Sequence, residues 1–165
     1  MTCGTCGQFF GSNPIWYFDG PSFTDRKAYP TWQQALDGVG SRDMTHLRTA
    51  FINRVWYKLV PDFGNNFVTQ GKGDKEATIR AAITPDGKLA MLYIPATGRE
   101  PREFTVDLRR MGGPVTASWF NPTTGKSRPV ADVVLWNKES RIFRTPGDNG
   151  TNANDWLLIL ESQVK

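Results

Sequence analysis

The 165-residue sequence predicts a mainly β protein, an antiparallel β-sandwich preceded by a short helical segment. Two observations support this fold class. Before Pro61, apolar residues recur at three- and four-residue steps, which is typical of a helix. After Pro61, short apolar or alternating runs are separated by Gly, Pro and Asn turns, which is typical of a sandwich. We therefore expect a helical lead-in over residues 1–61 and a β-sandwich over residues 62–165.

Two helices are predicted in the lead-in. Thr31 is placed to cap a short helix through Trp32–Leu36, which Gly38 and Gly40 end. Ser41 is placed to cap a second helix, and Pro61 stops the pattern. This second helix is expected from about residue 42 to 57, because four apolar residues form one stripe: Met44, Leu47, Phe51 and Val55.

Strands are predicted throughout the remaining sequence. Pro85-Asp86-Gly87 is a hairpin turn between the first two of them. Trp119 and Trp156 lie within apolar runs, so both are expected in the core. The expected strands are 77–83, 89–94, 104–108, 115–120, 133–136, 141–145 and 156–160.

Composition excludes several classes of function. The net charge of +4 comes from scattered Lys and Arg, whereas nucleic-acid binding needs a concentrated basic face. We therefore expect no nucleic-acid partner. No apolar run is long enough to span a bilayer, so we expect no membrane partner either. Cys3 and Cys6 lack the further ligands of a zinc site, and His46 is the only histidine. No phosphate loop or dinucleotide fingerprint is present, so no cofactor is expected.

An ordered series of motifs resembles the end of the apiosidase-like glycoside hydrolase family. The lead-in contributes Ile15-Trp16, Trp32-x-x-Ala35-Leu36 and Arg54-x-Trp56-x-x-Leu59-Val60-Pro61-Asp62, where the family closes a (β/α)8 barrel. Later pieces resemble that family's C-terminal β domain, which is called collagen-binding. They are Asp86-Gly87-x-x-Ala90-x-x-Tyr93-x-Pro95, Val106-Asp107-Leu108, Trp119-Phe120-Asn121-Pro122-x-Thr124-Gly125 and Asp155-Trp156-Leu157-Leu158-Ile159-Leu160.

The resemblance implies a function and partners. Retaining barrel glycosidases carry their two catalytic carboxylates on earlier barrel strands, which would precede Met1. We therefore expect a non-catalytic C-terminal accessory domain that binds a polysaccharide or oligosaccharide or buttresses a missing catalytic barrel. A secreted or periplasmic parent is expected, and an orphaned barrel edge favours a homo-oligomer.

The alternative is a small glycoside hydrolase that uses an Asp/Glu pair of this chain. Glycoside hydrolysis needs two carboxylates that face each other across a cleft. The candidates are Asp19, Asp25 and Asp43, because the N-terminal segment would border a sugar cleft in the parent fold. Asp43 and His46 are three residues apart and could also form an ordinary surface pair.

Three aromatic residues are candidates for carbohydrate binding. Trp16 and Tyr17 lie in the segment that would line the barrel rim in a full-length relative. Trp136 precedes the turn Asn137-Lys138-Glu139, so its ring is expected to be partly exposed at a sheet edge. Trp136 could instead simply cover one end of the sandwich.

No metal site is predicted, although one loop is rich in oxygen donors. Asp148, Asn152 and Asp155 could contribute ligands to Ca2+. The loop lacks the spacing and the distal Glu of an EF-hand, and Asn/Gly-rich loops are common turn chemistry.

Overall fold

The fold is mainly β, with two antiparallel sheets after a helical segment, as the sequence predicts. The computed structural model describes residues 2–5, 11, 15–16, 31–131 and 133–162. Helix α1 covers Trp32–Leu36 and helix α2 covers Val39–Phe51. Short 3-10 turns follow at Trp56–Lys58, Lys75–Ala77 and Leu108–Arg110.

The start of α1 agrees with the sequence, whereas the bounds of α2 correct it. Thr31 Oγ1 accepts a hydrogen bond from Gln34 N, and Gln34 Oε1 accepts one from Thr31 N, which completes a capping box. Gly38, not Ser41, precedes the first residue of α2. The Ser41 hydroxyl donates to Ala35 O at 3.3 Å instead, so it joins α1 to α2.

The predicted extension of α2 to residue 57 is also wrong. The α-helix ends at Phe51, and Val55 lies beyond it with its side chain partly exposed. The apolar spacing continues through a 3-10 turn, in which Lys58 N donates to Val55 O, and so periodicity alone did not mark the helix end.

The strands form a six-stranded sheet in the order β1-β3-β4-β9-β6-β7 and a three-stranded sheet in the order β2-β5-β8. All pairings are antiparallel. The strands are β1 Val60–Pro61, β2 Val68–Gln70, β3 Arg80–Ile83, β4 Leu89–Ile94, β5 Glu103–Asp107, β6 Val115–Phe120, β7 Ser127–Pro129, β8 Ser140–Arg144 and β9 Trp156–Ser162.

The predicted strand at residues 133–136 is wrong. Only Leu135 pairs, through a single bridge to Val115 in which each backbone N–H donates to the other's carbonyl at 2.8 Å. The apolar side chains of Val133, Val134 and Trp136 are exposed rather than aligned on a sheet. Conversely, the short strands β1, β2 and β7 lie at sheet edges and carry no alternation that sequence could reveal.

The main core lies between the two sheets. Phe104 stacks on Phe143 with ring centroids 6.1 Å apart, and Trp119 meets Phe104 edge-on at 6.3 Å. Trp119 and Trp156 are both buried in this cluster, which confirms their predicted core positions. The Trp156 indole N–H donates to Gly147 O at 2.7 Å, so its polar atom is also satisfied.

A second core lies on the outer face of the six-stranded sheet. Ala50 and Phe51 of α2 pack there, together with the partly buried Leu47. The sheet contributes Leu89, Met91, Phe120, Leu157 and Ile159. Strands β4 and β9 are therefore buried on both faces, which explains why their apolar runs do not alternate.

Candidate functional site

A groove opens beside this second core, between α2 and the outer face of the six-stranded sheet. Its floor follows one row of the sheet, because Tyr93 and Phe120 both lie opposite Leu157 in neighbouring strands. Leu47 and Phe51 form the helical wall. The groove has a volume of about 360 Å³, which is within the usual size of a ligand pocket.

The polar groups of the groove stand on opposite walls. Asp43 projects from α2, and Asp155 immediately precedes β9. Asp155 Oδ1 accepts a hydrogen bond of 2.6 Å from Asn149 Nδ2. Its other oxygen, Oδ2, receives only a long contact of 3.5 Å from the Tyr93 hydroxyl among the described residues.

Tyr93 keeps its proton in this setting. Partial burial, with the neighbouring Asp155 carboxylate as the lesser cause, raises the pKa of Tyr93 above its usual value. The hydroxyl is therefore a hydrogen-bond donor at neutral pH. Tyr93 is also the one exposed position within β4, where the other residues are buried.

The rim of the groove is formed by the loop after β6, which His46 ties to α2. The His46 Nδ1 atom lies 3.2 Å from Pro122 O, and since a carbonyl only accepts, this nitrogen carries the hydrogen. Asn121 Oδ1 accepts from Thr123 N at 2.8 Å and so shapes the turn. Gly125 has φ +67°, and a Cβ there would stand 2.6 Å from the His46 ring, so the ring requires a glycine opposite it.

One ion pair fastens the lead-in to the sandwich, and a second lies where the sandwich begins. Arg54 donates from Nε and Nη2 to the two carboxylate oxygens of Glu161 at 3.2 and 3.4 Å. Asp62 accepts from Arg110 Nη1 and from Phe67 N, both at 2.8 Å, and its side chain is 4% exposed. The first pair joins the lead-in to β9, and the second joins the start of the sandwich to the 3-10 turn after β5.

Of the predicted catalytic candidates, the structure describes Asp43 alone. Its Oδ1 lies 3.8 Å from His46 Nδ1, which agrees with a surface pair at i,i+3. Asp19 and Asp25 lie outside the described residues, so the prediction of a catalytic pair among these candidates stays a prediction.

The predicted carbohydrate-binding residues differ in what can be said of them. Tyr17 lies outside the described residues, whereas the side chain of Trp16 is exposed. Trp136 is 66% exposed, and the Lys138 ammonium stands 5.7 Å from its ring centroid. Leu135 on one side is buried, and Asn137 Nδ2 on the other donates to Met111 O at 3.0 Å.

The oxygen-rich loop uses its side chains within the protein. Asp148 Oδ1 accepts from Gly150 N and Asn152 N, and its Oδ2 pairs with Arg99. These bonds, with that from Gly150 N as the largest cause, lower the pKa of Asp148. Across the described ranges, no group of three or more His, Cys, Asp or Glu residues is placed to hold a metal ion. Nor is any helix in those ranges both long enough and apolar enough to cross a membrane.

Sequence reasoning did not find the groove. Tyr93 was noted only as a member of a family motif and Asp155 only as a motif member and a possible Ca2+ ligand, and nothing in their spacing, 62 residues apart, indicates that their side chains meet. The available signal is that Tyr93 is the single polar-tipped residue in the apolar run of β4.

A β-sandwich joined through a shared core to a helical segment is an arrangement found in glycoside hydrolases. The structure is similar to a protein described as "Glycoside hydrolase", with a TM-score of 0.79 and 22% identity over 99% of this chain and 35% of that one. It is similar to the same degree, at 21% identity, to a family 5 glycoside hydrolase from Bacteroides vulgatus ATCC 8482, covering 99% of this chain and 34% of that one. The chain thus spans about a third of the length of these proteins.

Family models assign the chain directly. Residues 60–161 match the model described as "Putative collagen-binding domain of a collagenase", and the chain belongs to this family. Residues 1–58 match the model described as "Apiosidase-like, catalytic domain". Both matches confirm the resemblance that the sequence motifs indicated. No curated protein matches the chain.

Proposed function

We propose that the chain is a non-catalytic accessory part of a glycoside-hydrolase-like protein, in which the sandwich holds the last helical segment of a catalytic barrel. The observation that carries this proposal is the second core. Helix α2 packs on the outer face of the six-stranded sheet through Ala50 and Phe51, and Arg54 continues the contact by pairing with Glu161. The segment similar to a barrel end is thus fixed to the sandwich.

The lead-in also carries apolar surface suited to a further partner. Tyr57 is 68% exposed, and several other large apolar side chains between Leu36 and Phe63 are exposed as well. Large exposed apolar patches mark interaction sites, and we propose that these side chains contribute to one. The rest of a barrel is the partner that the match to the apiosidase-like catalytic domain suggests. The exposed side chains are Leu36, Val39, Ile52, Val55, Tyr57, Val60 and Phe63.

The displaced carboxyl groups of the described residues lack the property that a general acid of a glycoside hydrolase needs. A general acid for glycoside hydrolysis needs a carboxyl pKa that is raised. Every carboxyl pKa that is displaced among the described residues is lowered, and each belongs to a residue that shapes a turn: Asp86, Asp107 and Asp148.

Hydrolysis assays test the non-catalytic part of the proposal. The intact chain is expected to release no reducing sugar from cellulose, xylan or pectin. Turnover that is abolished by Asp43→Asn, or by any other single Asp or Glu substitution, would instead establish a small glycoside hydrolase.

Binding of an apolar dye tests the partner surface. Tyr57→Ser should reduce the fluorescence of 1-anilinonaphthalene-8-sulfonate and any self-association in sedimentation velocity, with little change in melting temperature. Ile142→Ser is the matched control, because Ile142 is 67% exposed but lies in β8 of the sandwich. An equal effect of both variants would show that the lead-in has no special apolar surface.

Polysaccharide binding through Trp136 is a second candidate function, favoured by the way this residue is held. Buried Leu135 and hydrogen-bonded Asn137 fix the backbone on both sides of an exposed ring. A ring held in this way binds with little loss of conformational entropy. Trp16 of the lead-in is also exposed and is a further candidate for such binding.

A pull-down on insoluble cellulose, xylan and pectin tests this second candidate. Trp136→Ala should weaken binding while the melting curve stays nearly unchanged. Fibrillar collagen is a further test ligand in the pull-down, because the family description names collagen. Loss of binding in proportion to the unfolded fraction would assign Trp136 a structural role.

A further inference from the structure

The groove between α2 and the six-stranded sheet has the chemistry of a ligand site rather than of a packing defect. Its lining is mainly apolar and includes a few hydrogen-bonding side chains. Pockets that bind small molecules combine an apolar lining with a few convergent polar groups in this way. The lining residues are Thr2, Asp43, Leu47, Ala50, Phe51, Tyr93, Phe120, Pro122, Thr123, Asp155 and Leu157.

One hydrogen-bonding position in the groove is incompletely used. The Tyr93 hydroxyl and Asp155 Oδ2 are 3.5 Å apart, longer than the 2.5–3.0 Å of an ordinary O–H···O hydrogen bond. A ligand hydroxyl near them could donate to the carboxylate and accept from the tyrosine. Because Asn149 holds the other oxygen of Asp155 at 2.6 Å, the acceptor is already oriented.

The charge of the groove restricts the ligand. Asp43 and Asp155 stand on opposite walls, and the described lining contains no Lys or Arg. An anionic ligand would be repelled by both carboxylates, whereas a ligand with several hydroxyl donors would be bound by charge-assisted hydrogen bonds. A sugar ring also offers an apolar C–H face, which suits the partly exposed Tyr93 ring beside the buried Leu157.

We infer that this groove binds an uncharged oligosaccharide, with sugar hydroxyls donating to Asp43 and Asp155 and a C–H face lying on the exposed part of Tyr93. The inference rests on the carbohydrate association within the proposed function. It assigns binding to a site separate from Trp136, which does not line the groove.

Isothermal titration of the intact chain with cellotriose, xylotriose and trigalacturonate tests the inference. At least one neutral trisaccharide should bind, and trigalacturonate should bind at least about tenfold more weakly. Asp155→Asn and Asp43→Asn should each weaken neutral binding by about tenfold, since each removes a charged acceptor. Tyr93→Phe should weaken it by a smaller factor, because the ring stays in place.

Two controls make the result specific. Glu76→Gln removes an exposed carboxylate that does not line the groove and should leave the affinity unchanged. Trp136→Ala should also leave it unchanged. Melting curves verify folding, and if Asp155→Asn fails to fold, the half-exposed Asp43 provides the deciding variant.

Several outcomes would overturn the inference. They are no binding of either neutral trisaccharide, tighter binding of trigalacturonate, affinities unaffected by both Asp variants, or loss of binding in Trp136→Ala. The proposal that the sandwich supports a barrel would survive each of these, because it rests on the packing of α2 on the six-stranded sheet and is tested by the Tyr57 variant and the hydrolysis assays.

Discussion

The two faces of the six-stranded sheet are both buried, but by different partners. The inner face packs against the three-stranded sheet through large, fully buried side chains such as Phe104 and Phe143. The outer face packs against α2, where Leu47 is only partly buried and a groove remains open. The inner face thus stabilises the sandwich itself, whereas the outer face joins the sandwich to the helical segment that matches the apiosidase-like catalytic domain.

Consecutive residues of strand β9 contribute alternately to the inner and the outer core. Trp156, Leu158 and Leu160 belong to the inner core, and Leu157 and Ile159 belong to the outer one. Since side chains alternate along a strand, neighbouring substitutions compare the two faces within one backbone.

The largest expected effect is at Trp156 on the inner face. Trp156→Ala should lower the free energy of unfolding by about 3–5 kcal/mol, because it leaves a cavity in the core. It also removes the donor to Gly147 O. Urea denaturation measures the change, and an unaltered midpoint would mean that Trp156 is not a core residue.

The matched pair Leu158→Ala and Leu157→Ala compares the faces directly. Because Leu158 is fully buried, Leu158→Ala should lower the free energy of unfolding by about 3–5 kcal/mol. Leu157 lies beside the groove, so Leu157→Ala should lower the free energy of unfolding by only about 2–3 kcal/mol, because the helical wall can relax into the space left. A negligible cost at Leu157 would show that α2 does not pack on the sheet in solution.

A smaller effect is expected where α2 and β9 are joined by Arg54 and Glu161. Both side chains retain some solvent exposure, 20% and 43%, so the pair is partly screened. A double-mutant cycle with Arg54→Ala and Glu161→Ala should give a coupling energy of about 0.5–1 kcal/mol. If the effects of the two single variants simply add, Arg54 and Glu161 do not interact, and the lead-in and β9 are not joined at this point.

The smallest effect concerns pH and lies away from the outer face. A hydrogen bond from Arg109 is the main cause that lowers the pKa of Asp107 in the folded state. Because the pKa is lower in the folded state, the ionised carboxylate stabilises the fold at pH values above the unfolded pKa of about 3.9. This stabilisation is lost as the pH falls through the folded pKa. Asp107→Asn should therefore make the free energy of unfolding less dependent on pH below about 4. Thermal melts at acidic pH measure this dependence. An unchanged acid profile would exclude Asp107 as a contributor.

The sequence predicted the interior of the sandwich better than its edges. Strands β4 and β6 have the predicted bounds, because each is a continuous apolar or alternating run between strong turns. The run at residues 133–136 was misread because its apolar side chains are exposed and only Leu135 pairs. Apolar character alone does not distinguish a strand from an exposed loop.

The candidate site was less predictable, for a physical reason. The groove exists only where α2 meets β4, β6 and β9, so its residues come from distant parts of the chain. Asp43 was singled out, but as one of three candidates for a catalytic pair rather than as a residue that shares a groove with Asp155. A contact between residues 62 positions apart leaves no periodic pattern in the sequence.

Hydrogen exchange of the backbone amides of α2 in the intact chain tests the central claim most directly. A 13-residue helix is marginal in water when isolated, so strong protection of its amides would have to come from packing on the sandwich. The account predicts that amides near Ala50 and Phe51 exchange with an opening free energy close to that of β4 and β9. Exchange of those amides at the rate of an unprotected peptide, with β4 and β9 still protected, would contradict it.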